Sequence, residues 1–479
     1  MAVKVEWTTA EQRALIYEQA LGLLERMGMR FGTGRALDVL AGAGARVDVE
    51  TGVARIPPDL VERALAALPE LVVLGGMTPD DDCVLDGTIH FLNSGTPTHT
   101  VDFETGAYRA TTADDLRKAT VLLEAMPSVD ITWPIVAATD VPSEQRILTE
   151  IAVTLSKTRK HVQHELEDMW QVEPILRLME ICGGDLEGQR SRPRLSLVCC
   201  TASPLMAHGP MLDACLAAAA RGVPLAVLPM PVAGGNAPVT VAGTVTMNIA
   251  EFLGVATAVE LACPGAPLIL GAAPGTLDMR STTFSFGALE GAQATAIGVE
   301  IGHDLGVPVI GPAIATDAKY AGIQAGFEKA LRGLVVASSG ADLMTGGIGL
   351  LAGAGVLSLP QIVIDDEIAQ MIKRILGEVE ISPETIMADM IERVGFSGDY
   401  LREKETRRRV RAGEHFMPTV ASRLSYEVWE ARGRSEYDIA CEKVRQLLAE
   451  EEASEPLLSQ DQARELDALV ASAASLAAG

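Results

Sequence analysis

Between residues 194 and 349 apolar and polar positions alternate in blocks rather than residue by residue. An apolar run is followed by a loop of small and polar residues and then by a stretch with helical spacing, at 195–200, 225–230, 268–271, 307–310 and 343–346. Runs of this kind, lacking polar alternation and separated by helices long enough to cross over a sheet, fit parallel strands covered on their outer face. Upstream, 129–135 and 160–165 read as further strands, with a helix over 143–156 between them, and 89–92 supplies an eighth. Eight strands alternating with helices close as a (β/α)8 TIM barrel. A doubly wound open sheet is the alternative, but it usually carries a glycine-rich first turn that is missing here. The loops after the strands, including Thr201-Ala202-Ser203, Pro274-Gly275-Thr276 and Thr316-Asp317-Ala318-Lys319, should then meet at one carboxyl-end face.

The pattern differs at both ends of the chain. Residues 1–110 read as an α+β extension that donates the first barrel strand. Thr8 or Thr9 caps a first helix, 47–56 alternates around a glycine turn as a hairpin, and 83–93 and 101–108 carry two more turn signals. Gly42-Ala43-Gly44 precedes a hairpin, not a helix N-terminus, so it is a turn and not a nucleotide loop. Thr112 with Asp115 forms a capping box where the barrel body, 111–375, begins. Near its end, 362–372 looks like a strand end or turn entering a helix. The region 376–479 is helical, with a helix start at Ser382-Pro383 and a basic run, 402–411, expected to be a solvated helix face.

Composition narrows the function classes. The 479 residues, 48% hydrophobic, can bury a large core, and a net charge of −25 excludes a polyanionic partner such as DNA or RNA. No apolar stretch without polar or glycine breaks suggests a membrane span, and the start lacks a signal pattern, so a cytoplasmic protein is expected. Seven cysteines form no C-x-x-C pair; adjacent Cys199 and Cys200 face opposite ways in a strand. Neither a disulfide framework nor a metal site is expected.

The strand ends carry little conventional catalytic equipment: no H-E-x-x-H, Walker loop or G-x-S-x-G elbow. They offer glycine, proline, threonine and asparagine, with Trp133, His161, His164, Glu165, Asp317 and Lys319 as the strong polar or aromatic groups. His161 and His164, three apart on a strand, face opposite sides, which disfavours joint metal ligation. Glu165 suits a cationic ligand and Trp133 a π-face for a quaternary ammonium. A core tryptophan and a helix-capping glutamate are the structural alternative.

Several segments carry a resemblance. They are Gly311-Pro312-Ala313 with Thr316-Asp317-Ala318-Lys319, Gln324-Ala325-Gly326-Phe327-Glu328-Lys329, the stretch 340–351, Gln361-Ile362-Val363-Ile364-Asp365-Asp366-Glu367-Ile368, and the tail piece 415–423. Together they resemble the trimethylamine methyltransferase family over nearly the whole chain. The resemblance implies a (β/α)8 barrel that moves a methyl group from a methylated amine to the cobalt of a separate corrinoid protein. Members acting on trimethylamine carry pyrrolysine in the barrel mouth. Every residue here is standard, so the chain resembles the non-pyrrolysine branch, which includes enzymes for glycine betaine and related quaternary amines. None of the seven histidines lies in a D-x-H-x-x-G corrinoid motif, so the cobamide is expected on the partner, with no metal or nucleotide bound here.

From the strand ends and their loops, Phe91, Asn93, Trp133, His164, Glu165, Tyr320 and Gln324 form the pool of substrate-binding candidates. Gly234, Gly235, Asn236, Gly346 and Gly347 are the candidate corrinoid-docking mouth. A homo-oligomer is expected. Two other readings stay open: a betaine-binding or regulatory barrel without catalysis, and an S-adenosylmethionine enzyme or lyase on the same barrel. The second is disfavoured by the missing glycine fingerprint and metal set.

Overall fold

The computed structural model describes residues 4–183, 191–396 and 398–477. Its centre is a closed barrel of eight parallel strands: β1 (His90–Leu92), β2 (Val129–Thr132), β3 (His161–Glu165), β4 (Leu195–Ala202), β5 (Leu225–Leu228), β6 (Leu268–Gly271), β7 (Val309–Pro312) and β8 (Leu343–Thr345). Each strand pairs with its sequence neighbours, and β8 closes on β1 through Leu343–His90 and Met344–Phe91. Helices α1 (Ala113–Ala125), α2 (Ser143–Lys157), α3 (Val172–Gly183), α4 (Gly209–Ala219), α5 (Val241–Ala262), α6 (Leu289–Asp304), α7 (Ile323–Ser338) and α8 (Leu359–Leu376) follow the strands in turn. Adjacency of sequential strands is the consequence of short right-handed crossovers.

Strand alternation sorts the apolar residues into two cores. Leu195, Leu197, Leu225, Val227, Leu270 and Met344 face outward onto the helices. Leu92, Ile131, Val198, Ala226, Ile269, Ile310 and Leu343 fill the lumen. The lumen core is completed by Val72, Leu74, Cys83 and Leu85 of an antiparallel hairpin. This hairpin plugs the amino end of the barrel: Gly75 N–H donates to Pro193 O (2.9 Å) just before β4, and Met77 N–H to Arg159 O (2.7 Å) just before β3. The 83–93 alternation therefore splits, with Cys83–Leu85 in the plug and His90–Leu92 in the barrel.

The rest of the N-terminal extension covers α5. This helix is long and apolar enough to cross a membrane by length and composition, but 78% of its apolar window is buried. It packs against the helices Ala10–Arg26, Gly34–Ala43 and Pro58–Leu65, and a helix apolar on all sides is the expected core element. At Gly254 a Cβ would come within 2.5 Å of Met29 Sδ, so this glycine permits the close approach. Capping boxes at Thr9 and Thr112 start their helices as the sequence indicates, and the 47–56 hairpin pairs Asp48 with Val53.

Residues 362–372 do not contain a strand end; they lie inside α8. The β-branched Ile362-Val363-Ile364 run imitates a strand, whereas Ile362, Ala369, Ile372 and Leu376 recur at helical spacing and are buried, so packing overrides local propensity. Pro360 in the first turn marks the true helix start. Further on, the helix Glu436–Glu452 packs on α8 and α1, and Gln460–Ala471 on α2 and α3.

At the carboxyl end, the loops form two small sheets. Val232–Ala233, Gly275–Asp278 and Thr283–Ser285 build one, above β5 and β6; Leu350–Leu351, Val356–Leu357, His99–Val101 and Tyr108–Ala110 build the other, above β8 and β1.

Candidate active site

The upper lumen is where the candidate residues meet. Trp133, just past β2, belongs to the lumen core and is 8% exposed. Its backbone is clamped by Asn93: Trp133 N–H donates to Asn93 Oδ1 (2.9 Å) and Asn93 Nδ2 donates to Trp133 O (2.7 Å). Its ring is set by His164, edge-on with centroids 5.7 Å apart. His164 points towards α2, where its Nε2 lies 3.1 Å from Glu150 Oε2, and Glu150 also accepts from Ala138 N–H (2.9 Å). Asn93 and His164 are therefore positioning residues for Trp133. The indole Nε1 is buried and finds no hydrogen-bond partner among the described residues.

Below Trp133 lies a polar floor. His161 Nδ1 is 3.1 Å from Gly75 O, so it carries the proton, and Nε2, 2.8 Å from Ser196 Oγ, accepts. Burial pushes the His161 pKa down to about 4, which keeps the ring neutral. Gln163 Nε2 donates to the same hydroxyl (3.1 Å), leaving its buried Oε1 unpartnered among the described residues. Two steps along β3 on the same face stands Glu165, half-buried. No hydrogen bond or ion pair holds its carboxylate among the described residues. Burial, and then the Glu165 charge, push the nearby Cys200 thiol up to about 12, so no thiolate nucleophile is available there.

Other candidates fall elsewhere. Phe91 is on the outer face of β1, in the helix-facing core with Lys373 Nζ 5.4 Å from its ring centroid, so it does not line the lumen. The bulge opposite it at Asp130 keeps Phe91 in step with outward Val129, a register invisible in the sequence. Tyr320 is 74% exposed, and Gln324 is exposed on α7 with its amide on Glu328 (2.8 Å). Of the expected docking mouth, Gly235 and Asn236 are exposed and Gly234 half-buried, but Gly346 and Gly347 are buried. Gly347 has φ 134°, and a Cβ there would sit 2.9 Å from Ile314 O. It is a packing residue, not a surface for a macrocycle.

The loops that frame the mouth are held by buried and half-buried acids on the helices beneath. Glu328 accepts from Thr316 Oγ1 (2.6 Å) and Asp317 N–H (2.8 Å). Asp317 in turn accepts from Ser285 Oγ (2.5 Å) and from the N–H groups of Phe286 (2.9 Å) and Gly287 (3.0 Å). This relay fixes the Phe284–Phe286 aromatic pair, with centroids 4.5 Å apart, at the rim. Lys329, fully buried, donates to Gly347 O (2.7 Å) and Asp365 Oδ2 (2.6 Å), while Asp365 accepts from Gly349 N–H (2.8 Å) and Gln361 Nε2 (2.7 Å). Glu251 on α5 does the same for the loop after β4, accepting from the Thr201 and Ser203 hydroxyls and from Leu205 N–H.

Sequence reasoning missed Gln163, Phe284 and Phe286. The alternating Thr283-Phe284-Ser285-Phe286 before α6 was the available signal for the aromatic pair. A cleft of about 470 Å3 lies outside the lumen, between the β5 and β6 loops, lined by Val239, Thr244, Thr276, Asp278 and Glu290 among others. Among the described residues no group of three or more His, Cys, Asp or Glu is placed to hold a metal ion.

Fold and site thus define a (β/α)8-barrel protein whose lumen joins apolar strand residues and Trp133 to a polar floor of His161, Gln163 and Ser196, with the Glu165 carboxylate unpaired among the described residues. Residues 2–475 match the family model described as trimethylamine methyltransferase (MTTB), and the chain belongs to that family. It is 29% identical to a trimethylamine methyltransferase MttB of Desulfitobacterium hafniense (strain DSM 10664 / DCB-2), over 89% of this chain and 86% of that one. To a glycine betaine methyltransferase of D. hafniense (strain Y51) it is 25% identical, over 88% of each. A crystal structure of a hydroxylamine MtmB complex shares the fold, with a TM-score of 0.52, 15% identity and coverage of 92% of this chain and 89% of that one. Four of the segments singled out in the sequence contain the residues of the loop-holding relay, Thr316, Asp317, Glu328, Lys329, Gly347, Gly349, Gln361 and Asp365.

Proposed function

We propose that this methyltransferase-family chain takes a methyl group from a small quaternary amine in the barrel lumen and passes it to Co(I) of a separate corrinoid protein. The observations that carry the reading are Trp133 buried in the lumen core and, on the inward face of β3, a Glu165 carboxylate with no partner among the described residues, in a lumen whose inward strand positions include no lysine or arginine. An ammonium that cannot donate hydrogen bonds is recognised by π-faces and a counter-charge, without hydrogen-bond acceptors at fixed positions. The kinship with a glycine betaine methyltransferase supports the same substrate class.

The chemistry follows from charge. The cobalt–carbon bond forms as the carbon–nitrogen bond breaks, and the electron pair of that bond stays on nitrogen, which leaves as a neutral tertiary amine. The positive charge on nitrogen disappears on the way, so an apolar lumen that disfavours separated charge speeds the step. Trp133 and Glu165 hold the cation but do not exchange protons with it. A carboxylate stabilises the charged ground state more than the neutralising transition state, so Glu165 contributes to affinity and not to rate. Positioning the methyl group towards the open carboxyl end is the barrel's main contribution. A cytoplasmic setting is part of the proposal, because Co(I) survives only under reducing conditions.

Titration calorimetry with glycine betaine, tetramethylammonium and their tertiary counterparts tests the substrate class. Binding restricted to quaternary amines and weakened in Glu165→Gln supports it, and equal binding of neutral analogues refutes it. Binding without methyl transfer to any Co(I) acceptor would favour the non-catalytic reading.

A further inference from the structure

Two buried polar atoms of the lumen have no hydrogen-bond partner among the described residues, and they belong to neighbouring residues. The pairing of β2 with β3 ends at Thr132 with Val162, and Trp133 and Gln163 are the next residue on each chain. Trp133 sits in the lumen core with its indole Nε1 buried and unpaired, and Gln163 is fully buried on the inward face of β3 with its Oε1 unpaired. Which atom of the Gln163 amide is free follows from the polar floor. Gly75 O can only accept, so His161 Nδ1 donates to it (3.1 Å), and the neutral ring offers only a lone pair at Nε2. The Ser196 hydroxyl therefore gives its one proton to His161 (2.8 Å) and has only lone pairs left for Gln163, whose NH2 donates to it (3.1 Å). A flipped amide would set two acceptors against each other, so Oε1 is the atom without a donor.

The two unpaired atoms differ in kind. The indole N–H donates and cannot accept, and the Gln163 carbonyl accepts and cannot donate. One ligand group does both: a hydroxyl. A carboxylate would take the indole proton but set its lone pairs against Gln163 Oε1 and its charge against Glu165, with no lysine or arginine at an inward strand position to hold it. A methyl group would leave both atoms unpaired. Because a buried polar group without a partner is costly, such a site discriminates between ligands that carry the matching group and ligands that lack it.

We propose that Trp133 Nε1 and Gln163 Oε1 together select a quaternary amine that bears a hydroxyl group on a short chain, the hydroxyl accepting from the first and donating to the second. The inference rests on the quaternary amine reading of the lumen and adds the other end of the ligand to it. Glu165 lies two residues beyond Gln163 towards the carboxyl end of β3, about 6.6 Å along the strand. A nitrogen beside Glu165 and a hydroxyl on the Gln163 side therefore fit one small molecule. Its methyl groups then lie towards the open carboxyl end. Gln163 and the indole N–H act here as specificity-determining groups and touch no reacting atom.

Titration calorimetry on the full chain tests this with three ligands: (2-hydroxyethyl)trimethylammonium, its hydroxyl-free counterpart ethyltrimethylammonium, and glycine betaine. Wild type is expected to bind the hydroxyl ligand about tenfold or more tighter than the ethyl one, as two added hydrogen bonds allow, and tighter than glycine betaine. Trp133→Phe keeps an aromatic face and loses the N–H, whereas Gln163→Met keeps the chain length and loses the acceptor. In each, the hydroxyl-to-ethyl ratio is expected to fall to within about threefold of one. That ratio is the readout, since a purely structural role would shift both ligands alike. The wild-type ratio needs no variant, so it decides the matter even where a variant fails to fold. Equal affinity for the hydroxyl and ethyl ligands overturns the proposal and leaves the quaternary amine reading standing. So does a hydroxyl preference that survives in both variants, or tighter binding of glycine betaine. Failure of every quaternary amine to bind overturns both.

Discussion

Replacing Lys329 with Met removes the cation beneath the β8 loop and leaves Asp365 buried without its counter-charge. Both side chains are completely buried and 2.6 Å apart. Breaking such a pair costs about 3–5 kcal/mol, mostly because the remaining charge stays desolvated. Asp365 keeps its bonds from Gly349 N–H (2.8 Å) and Gln361 Nε2 (2.7 Å), which offset part of the loss and place the cost near the lower end, about 3 kcal/mol. Burial already holds the Asp365 carboxyl above its usual range and the Lys329 amine below its own. Without the lysine the Asp365 pKa rises further. A folded-state pKa above the unfolded value gives stability that is full at low pH and lost as pH rises through the folded value. The variant's deficit relative to wild type should therefore grow as pH rises above the ordinary aspartate value, and is read by comparing pH 5 with pH 8. Urea denaturation followed by tryptophan fluorescence reads this, with a midpoint lowered by roughly 0.5–1 M at pH 8 for a chain of this size. A midpoint unchanged at pH 8, or the same deficit at both pH values, would show that the pair does not hold the loop.

Trp133→Ala is expected to weaken quaternary amine binding by about 0.5–2 kcal/mol with the fold intact; unchanged affinity in calorimetry would remove Trp133 from the site. His161 is neutral and buried with its pKa near 4, so the stability it contributes is full above its unfolded value of about 6.5 and is lost as pH falls towards 4, by up to roughly 3 kcal/mol. His161→Gln should flatten that part of the acid-unfolding curve, and an unaltered curve would contradict the assignment. Glu367→Ala frees the N–H groups of Thr419, Val420 and Ala421 that its carboxylate holds, at a cost of about 1–3 kcal/mol, and limited proteolysis should then cut the segment 377–434 sooner than in wild type.

The barrel was legible because its strands are uninterrupted apolar runs, a signal set by burial on both faces. The plug was not, because Val72–Leu74 is short and its partner strand sits next to β1 in the chain, so a turn at Gly87 suggests the wrong pairing. Around the site, Trp133, Asn93 and His164 come together because they sit where neighbouring strands end, and Glu165 lies one residue further along β3. Phe91 went astray through one bulge, and Gly346 and Gly347 because small residues at a strand end look the same whether they open a mouth or pack beneath a loop. Nothing in the sequence revealed that the charges of Glu328, Lys329 and Asp365 hold the loops, since that depends on which helices become neighbours.

The most direct test of the proposed methyl transfer is anaerobic formation of methylcobalt(III), followed by absorbance. The purified chain is mixed with a Co(I) corrinoid protein, or with free Co(I) cobalamin, and a panel of quaternary amines and their tertiary counterparts. Methylcobalt formation that depends on the chain, occurs with a quaternary amine and not with its tertiary counterpart, and falls in Trp133→Ala at subsaturating amine is the predicted result. Saturating quaternary amine with no methylcobalt from either acceptor would contradict it.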